Sequence, residues 1–273
     1  MLFDKICGFA SILGLILTVA GCLVADCHIN VIWIVVMILF LLLSIFYFCQ
    51  YTMATKYLKG EAEIRDAHNK IALQYAQIRT KNLEGIIHVM SDLCTEIAEA
   101  FEIIKGQKIG VCIKYINGDI TNPYVETLCR DVHSRKRSYP TINSGHDYIW
   151  RNTDFAYIFT AINEQHEFAE LYYFANDLPN QYQYTNTHLD ASNLHSGFMW
   201  RYKRRKQWTL PYQSTIVVPF LSPENKQVEG FLCIDSSSPK GFDKSRDVAI
   251  LQQIALFMRE LMCYVCSNHL KEN

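Results

Sequence analysis

The sequence predicts an α+β protein with two transmembrane helices at its N-terminus, a helical stalk and a globular remainder. Three observations carry this prediction. Two uncharged apolar runs lie before residue 50, a seven-residue periodicity follows them, and the rest combines strand patterns with amphipathic helical patterns. We divide the chain into a transmembrane hairpin at residues 1–50, a stalk at 51–82 and a cytoplasmic sensor domain at 83–273.

The two apolar runs are Ile6–Ala25 and Val31–Cys49, with a polar turn at Asp26–Asn30 between them. Each run has close to the ~20 residues that a helix needs to cross the hydrocarbon core of a bilayer. A cleaved signal peptide is the alternative for the first run, but its apolar core is longer than in a typical signal and a second run follows closely. The pair therefore predicts two retained transmembrane helices.

Charges beside the runs predict the orientation of the hairpin. Lysine and arginine flank both outer ends, at Lys5, Lys56, Lys59 and Arg65, whereas the turn between the runs has neither residue. The positive-inside rule then places both termini and the globular domain in the cytoplasm. The sequence thus predicts a two-pass protein of the inner or cell membrane.

Two features predict self-association. Gly14 and Gly21 are one heptad apart, so the first helix offers a face of small residues to the second helix or to another copy. In the stalk, large side chains recur every seven residues, at Tyr57, Ile64, Ile71 and Ile78. This stripe is typical of a coiled-coil seam, although a solvated connecting helix explains it equally well.

The globular remainder alternates helical and strand patterns. Apolar spacing from Leu83 to Ile104 predicts an amphipathic helix that ends at Gly106. Strand patterns lie at Lys108–Ile116, Tyr124–Arg130, Tyr212–Phe220 and Val228–Asp235, and a closing helix is predicted at Lys244–Asn268. The middle of the chain, residues 141–195, is rich in aromatic and polar residues and contains a short helical pattern at Asp154–Ile162.

This order of elements is similar to that of a GAF domain. The residues that carry the resemblance are Ser214–Pro219, Gly230–Asp235 and the helix after Phe242, and with Leu83–Ile116 it covers about residues 83–270. The resemblance implies an antiparallel sheet with the first and last helices on one face. It also implies a regulatory module that binds a small molecule or dimerises. No ligand class is implied, because neither a bilin-attachment cysteine nor the Asn-Lys-Xn-Phe-Asp signature of cyclic-nucleotide binders is recognisable.

Catalytic motifs are not recognisable in the sequence. It has no Gly-rich phosphate loop, no His-Glu-x-x-His and no Gly-x-Ser-x-Gly. We therefore expect no enzymatic activity, no cofactor and no metal site. The spacing of Cys263, Cys266 and His269 resembles half of a metal site, but on a helix it is more typical of a packing face. Ten cysteines without paired spacing are typical of reduced thiols in the cytoplasm.

Two positively charged clusters are the candidate site for an anionic partner. The first interleaves cations with aromatic side chains and comprises Trp200, Arg201, Tyr202, Lys203, Arg204, Arg205, Lys206 and Trp208. The second comprises Arg130, Arg135, Lys136 and Arg137, beside His133. Such clusters bind nucleic acid by counterion release and base stacking, and they also attract anionic lipid headgroups. A solvated charged loop is the other interpretation.

A candidate pocket is predicted from polar residues in the middle of the chain, namely Asn176, Asp177, Arg151 and Asp154. Asn176 and Asp177 follow an aromatic strand-like stretch, where their side chains can line a pocket or cap the next turn. Asn152 or Thr153 beside the other two residues is a candidate helix N-cap.

Two functions remain open. In the first, the protein is a membrane effector whose GAF-like domain senses or is restrained by a ligand or partner and controls a membrane-perturbing hairpin. The second is a membrane-tethered GAF receptor without toxic activity. We favour the effector because the chain ends soon after the closing helix, which leaves the hairpin as the output.

The architecture resembles two-transmembrane effectors of bacterial anti-phage systems of the retron and CBASS types. The apolar runs predict the lipid bilayer as a partner, and the glycine face and the stalk predict further copies of the chain. The resemblance adds a reverse transcriptase–nucleic acid complex or another polyanion.

Overall fold

The computed structural model describes residues 14, 27–78, 83–119, 121–135, 147–163, 171–189, 205–223 and 226–272. The chain divides into two compact units, Met1–Leu58 and Lys59–Asn273. The predicted boundaries after residues 50 and 82 stay predictions. Of the first predicted transmembrane run, Gly14 is among the described residues and Gly21 lies outside them.

Helix α1 (Cys27–Ile78) begins inside the predicted polar turn and continues past the second apolar run without a break. A Cβ atom at Gly14 would lie 2.8 Å from Cε1 of Phe40, so glycine permits a close approach between the first apolar run and α1. Of the two predicted neighbours of the glycine face, the second run and another copy, this contact favours the second run at Gly14.

Two helices of the described part are long and apolar enough to cross a membrane by length and composition. They are Ile34–Asp66 within α1 and Lys244–Ser267 within the closing helix. The most apolar window of the first helix has no buried residue, whereas 44% of the corresponding window of the closing helix is buried. The closing helix packs on the sheet of the second unit, as a core helix of a soluble domain does.

The second unit is built on one antiparallel sheet. After helix α2 (Leu83–Lys105), the strands are β1 (Ile109–Asn117), β2 (Tyr124–Arg130), β3 (Asp147–Tyr148), β4 (Tyr173–Ala175), β5 (Ser214–Leu221) and β6 (Val228–Ser236). Helix α3 (Thr153–Asn163) lies between β3 and β4 in the chain, and α4 (Lys244–Glu272) closes it. The strand order is β3-β2-β1-β6-β5-β4 with antiparallel neighbours throughout, which confirms the predicted α+β class.

Alternating side chains give the sheet two buried faces. On the first face, Val111, Ile113, Ile216 and Leu232 pack against α2 and α4 in the larger core. On the second face, a smaller core that includes Val217, Phe231 and Phe155 of α3 packs on the same strands. The prediction that the first and last helices share one face is confirmed.

The end of α1 belongs to the second unit and packs against α2. Gly60 is buried, and a Cβ atom at this position would overlap the Ile104 side chain and lie 3.2 Å from the carbonyl oxygen of Ala100. Ile64, one turn further on, packs against the larger core. At this position the predicted heptad stripe therefore contacts the protein's own domain.

Candidate functional site

A small cavity lies on the second face of the sheet, beneath α3 and the segment 184–189. Its volume is about 40 Å³. This is enough for a few water molecules, but it is far below the ~300–1,000 Å³ of typical ligand pockets. The lining combines charged side chains with two thiols and includes Lys114, Arg130, Asp147, Asp154, Cys112 and Cys233.

A cluster of charged side chains lines the cavity. Lys114 Nζ lies 3.1 Å from Asp147 Oδ2, and His188 Nε2 lies 3.1 Å from Asp147 Oδ1. Burial alone would raise the pKa of Asp147, but the His188 hydrogen bond and the Lys114 charge keep this pKa well below its usual value. Burial also opposes protonation of Lys114, yet the Asp147 carboxylate raises the lysine pKa. Both partners of the pair are therefore charged at neutral pH.

Asp154 is a further buried carboxyl group that lines the cavity. Its Oδ1 accepts a hydrogen bond from the Phe155 N–H at 3.0 Å, and its Oδ2 lies 3.5 Å from the Tyr184 hydroxyl. Burial raises the pKa of Asp154 to about 6. This carboxyl group can therefore exchange a proton inside the cavity near neutral pH.

Two cysteines lie side by side across the sheet. Cys112 of β1 is directly opposite Cys233 of β6, and on its other side it is opposite Arg130 of β2. The hydrogen bond between the two thiols, with the charges of Arg130 and Lys114, lowers the pKa of Cys112 to about 7 although burial opposes this. The thiolate of Cys112 is therefore well populated at neutral pH.

Asn152 positions the loop that carries His188. Its Nδ2 donates hydrogen bonds of 2.7 Å to the Tyr148 carbonyl and to Thr187 Oγ1, and its Oδ1 accepts one of 3.1 Å from the Thr187 N–H. The Asn152 carbonyl accepts the hydrogen bond of the first turn of α3, from Ala156. Asn152 therefore occupies the predicted N-cap position while its side chain holds the loop instead of capping the helix.

The four predicted pocket residues are not brought together. Asp154 lines the cavity, whereas Arg151 is exposed and lies over the Tyr148 ring, 5.3 Å from its centre. Asn176 bonds through its amide group to both backbone groups of Phe242, at 2.7 and 3.0 Å. Its side chain therefore joins β4 to the start of α4.

Asp177, the fourth predicted pocket residue, also lies away from the cavity. It pairs with Arg205 at 3.1 Å and accepts a hydrogen bond from Asn180 at 2.5 Å. These contacts favour the interpretation of Asp177 as a turn residue.

The predicted basic clusters are described in part. Arg205 and Lys206 are exposed, and the indole N–H of Trp208 donates to the Tyr212 carbonyl at 2.7 Å. Arg135, from the other cluster, donates to the Ser91 hydroxyl. The members that lie outside the described residues are Trp200, Arg201, Tyr202, Lys203, Arg204, Lys136 and Arg137.

The sequence prediction missed the residues that dominate the cavity, namely Lys114, Asp147, His188, Cys112 and Cys233. One signal was available, because Lys114 interrupts an otherwise apolar strand and a cation on a buried strand needs a partner. Asp147 and His188 lie in the aromatic and polar middle of the chain, where no periodicity indicated their position. Cys263, whose spacing with Cys266 and His269 resembles half of a metal site, donates a hydrogen bond to Glu229 Oε2 at 2.9 Å.

Comparison with known proteins identifies a fold but no family. No protein-family model matches the sequence, and the comparison with curated proteins gives no match. Among solved structures, the chain is similar to the free methionine-R-sulfoxide reductase of Neisseria meningitidis in complex with its substrate, with 12% identity over 78% of this chain and 93% of that chain and a TM-score of 0.44. The type II reductase of Thermoplasma acidophilum gives 15% identity over 66% and 94%, with a TM-score of 0.40.

A solved GAF domain matches this chain about as well as the two reductases do. The GAF domain of a phosphoenolpyruvate-protein phosphotransferase from Coxiella burnetii gives 10% identity over 79% of this chain and 98% of that chain, with a TM-score of 0.43. The fold of this chain is GAF-like.

These structures correct the expectation that the protein has no enzymatic activity. Free methionine-R-sulfoxide reductases have the GAF-like fold, and so do GAF domains. The prediction was wrong because it treated the lack of a short catalytic motif as evidence against catalysis. A fold that occurs in enzymes and in regulatory modules supports no such conclusion.

Proposed function

We propose that this protein is a membrane-anchored regulatory protein whose GAF-like domain responds to a ligand or partner and controls an apolar N-terminal hairpin. The exposure of the apolar segment of α1 carries the proposal. Residues 38–43 are consecutive and each is about half exposed or more, with Leu41 at 62%. Six consecutive residues cover every side of a helix, so no single partner face would bury them. A bilayer covers all sides at once.

The orientation of the hairpin follows from its flanking charges. The first apolar run is retained as a second transmembrane helix, and Lys56, Lys59 and Arg65 lie on the cytoplasmic side of α1. The GAF-like domain then lies in the cytoplasm of a cell or inner membrane. The reduced state of the buried cysteines is compatible with this compartment.

The more specific proposal is that the hairpin itself is the output. When the domain is released from a restraint, hairpins of several copies assemble and perturb the membrane, as in the two-transmembrane effectors of bacterial antiviral defence. The continuity of α1 supports this proposal, because the helix that carries the apolar segment also contributes Gly60 and Ile64 to the packing of the globular unit. A membrane-tethered receptor without toxic activity is the alternative.

The proposed trigger is a polyanion, such as a reverse transcriptase–nucleic acid complex. The exposed cations Arg205 and Lys206 support this part of the proposal, because exposed cations bind phosphates and release counterions. Anionic lipid headgroups compete for the same residues.

Expression of the full chain in bacteria tests the anchor and the output separately. We expect the protein to remain with membranes in alkaline carbonate, to be extracted by detergent, and on overproduction to collapse the membrane potential reported by a voltage-sensitive dye. Leu39→Arg with Leu42→Arg would weaken insertion, because each arginine costs about 2.5–3.5 kcal/mol at a helix centre, whereas Leu39→Ile with Leu42→Ile is the matched control. Release by carbonate would refute the anchor. A retained protein that leaves the potential intact would support the receptor alternative.

A further inference from the structure

Cys112 and Cys233 lie close enough for a disulfide bond, although no such bond joins them. They are directly opposite each other on β1 and β6, and both thiols are on the second face of the sheet. Opposite residues on antiparallel strands have Cα atoms about 4.5–5.5 Å apart, which lies within the ~4.4–6.8 Å that a disulfide spans. The strands therefore need no large movement to join the two sulfur atoms.

The cavity gives a small molecule access to these thiols. Both cysteines line it, although each is at most 7% exposed on the protein surface. A volume of about 40 Å³ holds a few water molecules. A molecule of the size of hydrogen peroxide therefore fits, whereas a large disulfide such as oxidised glutathione does not.

The charges around Cys112 favour its reactive form. Arg130 is the cross-strand neighbour of Cys112 on β2, and Lys114 lies two residues along β1 on the same face. These cations and the hydrogen bond with Cys233 lower the pKa of Cys112, and the same hydrogen bond raises the pKa of Cys233. Cys112 is therefore the nucleophilic thiol of the pair, whereas Cys233 stays protonated until it reacts.

We propose that Cys112 and Cys233 are a peroxide-reactive dithiol that closes into a reversible disulfide inside the GAF-like domain. The Cys112 thiolate attacks one oxygen of a hydroperoxide, the O–O bond breaks, and the hydroxide or alkoxide leaves as water or alcohol after taking a proton. Cys112 is then a sulfenic acid. The Cys233 sulfur attacks the Cys112 sulfur, the S–OH bond breaks, and a second water forms with the Cys233 proton. Two thiols are oxidised by two electrons and one hydroperoxide is reduced; a cellular thiol reverses the reaction.

A second cysteine pair provides an internal control. Cys94 of α2 and Cys129 of β2 have sulfur atoms 3.9 Å apart on the other face of the sheet, in the larger apolar core. Hydrogen bonding with Cys129 and burial raise the pKa of Cys94, and the nearby Asp131 carboxylate adds to the rise. Because the sulfur atoms of this pair are also close together, a comparison of the two pairs isolates the contribution of the cavity and its cations.

The experiment uses the full chain, reduced and purified in detergent, with hydrogen peroxide as the oxidant. After a brief exposure, free thiols are alkylated and the protein is digested for mass spectrometry. We expect a peptide pair joined through Cys112 and Cys233. Oxidation of Cys112 at pH 7 should be at least about tenfold faster than that of Cys94, because a larger thiolate fraction outweighs the lower nucleophilicity of a thiolate with a lower pKa. In Cys233→Ala, a sulfenic acid at Cys112 should be trapped by dimedone, whereas Cys112→Ala should leave Cys233 unmodified.

Two outcomes would overturn the proposal. One is a wild-type protein in which Cys112 and Cys233 stay reduced while the exposed Cys49 is oxidised; the other is equal reactivity of the Cys94–Cys129 pair. The wild-type peptide map decides the matter even if an alanine variant fails to fold. Any effect of the disulfide on membrane activity rests on the proposed function. It is measured separately, as a change of membrane potential. The peroxide-reactive dithiol and the membrane function can therefore each be refuted without the other.

Discussion

Lys114 of β1 and Asp147 of β3 form an ion pair of 3.1 Å although β2 lies between their strands. The two side chains meet on the second face of the sheet, where the Asp147 carboxylate also bonds to His188 from the loop 184–189. Three segments distant in the sequence are thus connected through one carboxylate. The cavity depends on this connection, because each of the three residues lines it.

Loss of the Asp147 charge should destabilise the GAF-like domain. Asp147→Asn leaves the largely buried Lys114 ammonium without its carboxylate partner, and breaking a buried pair costs about 3–5 kcal/mol. Chemical denaturation of the detergent-solubilised protein, followed by circular dichroism, measures the change. Asp177→Asn is the matched control, because its partner Arg205 is half exposed and such pairs contribute about 0–1 kcal/mol. Equal effects of the two substitutions would contradict the role assigned to Asp147.

Asp154 should make the domain less stable as the pH rises through 6. Its pKa is raised from 3.8 to about 6, so the folded protein holds the proton more strongly than the unfolded chain. The stabilising contribution is complete below about pH 4 and is lost as the pH rises through 6, a difference of roughly 2–3 kcal/mol. Asp154→Asn should flatten this part of the stability–pH curve, measured by denaturation between pH 4 and 8.

Asp147 provides a comparison of opposite sign. The pKa of its carboxyl group is lowered in the folded state, so its contribution is present above the unfolded pKa and is lost as the pH falls. The wild-type protein should lose stability at acidic pH as Asp147 is protonated, and this loss should be absent from Asp147→Asn. If Asp154→Asn and Asp147→Asn changed the slope of the stability–pH curve in the same direction, the two pKa assignments would be refuted.

A larger side chain at residue 60 should weaken the packing of α1 on α2. Gly60→Leu places atoms where Ile104 and the Ala100 carbonyl already lie, and overpacking of this kind costs about 1–3 kcal/mol. Ile104→Ala in the same protein should recover part of the loss, because it removes the side chain that the leucine meets. Thermal unfolding of the single and double variants measures the coupling, and strictly additive losses would show that the two positions do not interact.

Reversal of the exposed charges at residues 205 and 206 should weaken binding to a polyanion. Arg205→Glu with Lys206→Glu removes two cations, so the dependence of nucleic acid affinity on salt should become shallower by about one unit per lost phosphate contact. Binding of labelled single-stranded DNA by the full chain at several salt concentrations measures the slope. Lys226→Glu reverses another exposed charge on the β5–β6 turn and serves as the control; a similar decrease there would indicate attraction without a defined site.

The regular elements of the domain were predictable because their patterns are local. The spacing of apolar residues predicted the closing helix, and the runs around Val217 and Leu232 predicted the adjacent strands β5 and β6. The short strand β3 was not predictable, since its two residues, Asp147 and Tyr148, have no period of their own and depend on pairing with β2.

The site was less predictable than the fold because it depends on register. A bulge lies where Ile113 pairs with Cys129 and Lys114 pairs with Thr127, which leaves Leu128 without an opposite residue. The bulge turns Cys129 into the larger core, whereas Val125 of the same strand belongs to the smaller one. Strict alternation would put both side chains on one face. A sequence pattern alone therefore could not show which residues of β2 face the cavity.

The two outer strands of the described sheet are short, which limits edge-to-edge association between molecules at high protein concentration. β3 has two residues and β4 has three, and the side chain of Asn176 ties the end of β4 to the loop that leads into α4. An edge this short offers few free backbone groups to an intruding chain. Neighbouring molecules can therefore collide often without extending one sheet into the next, and recognition between them is left to side chains.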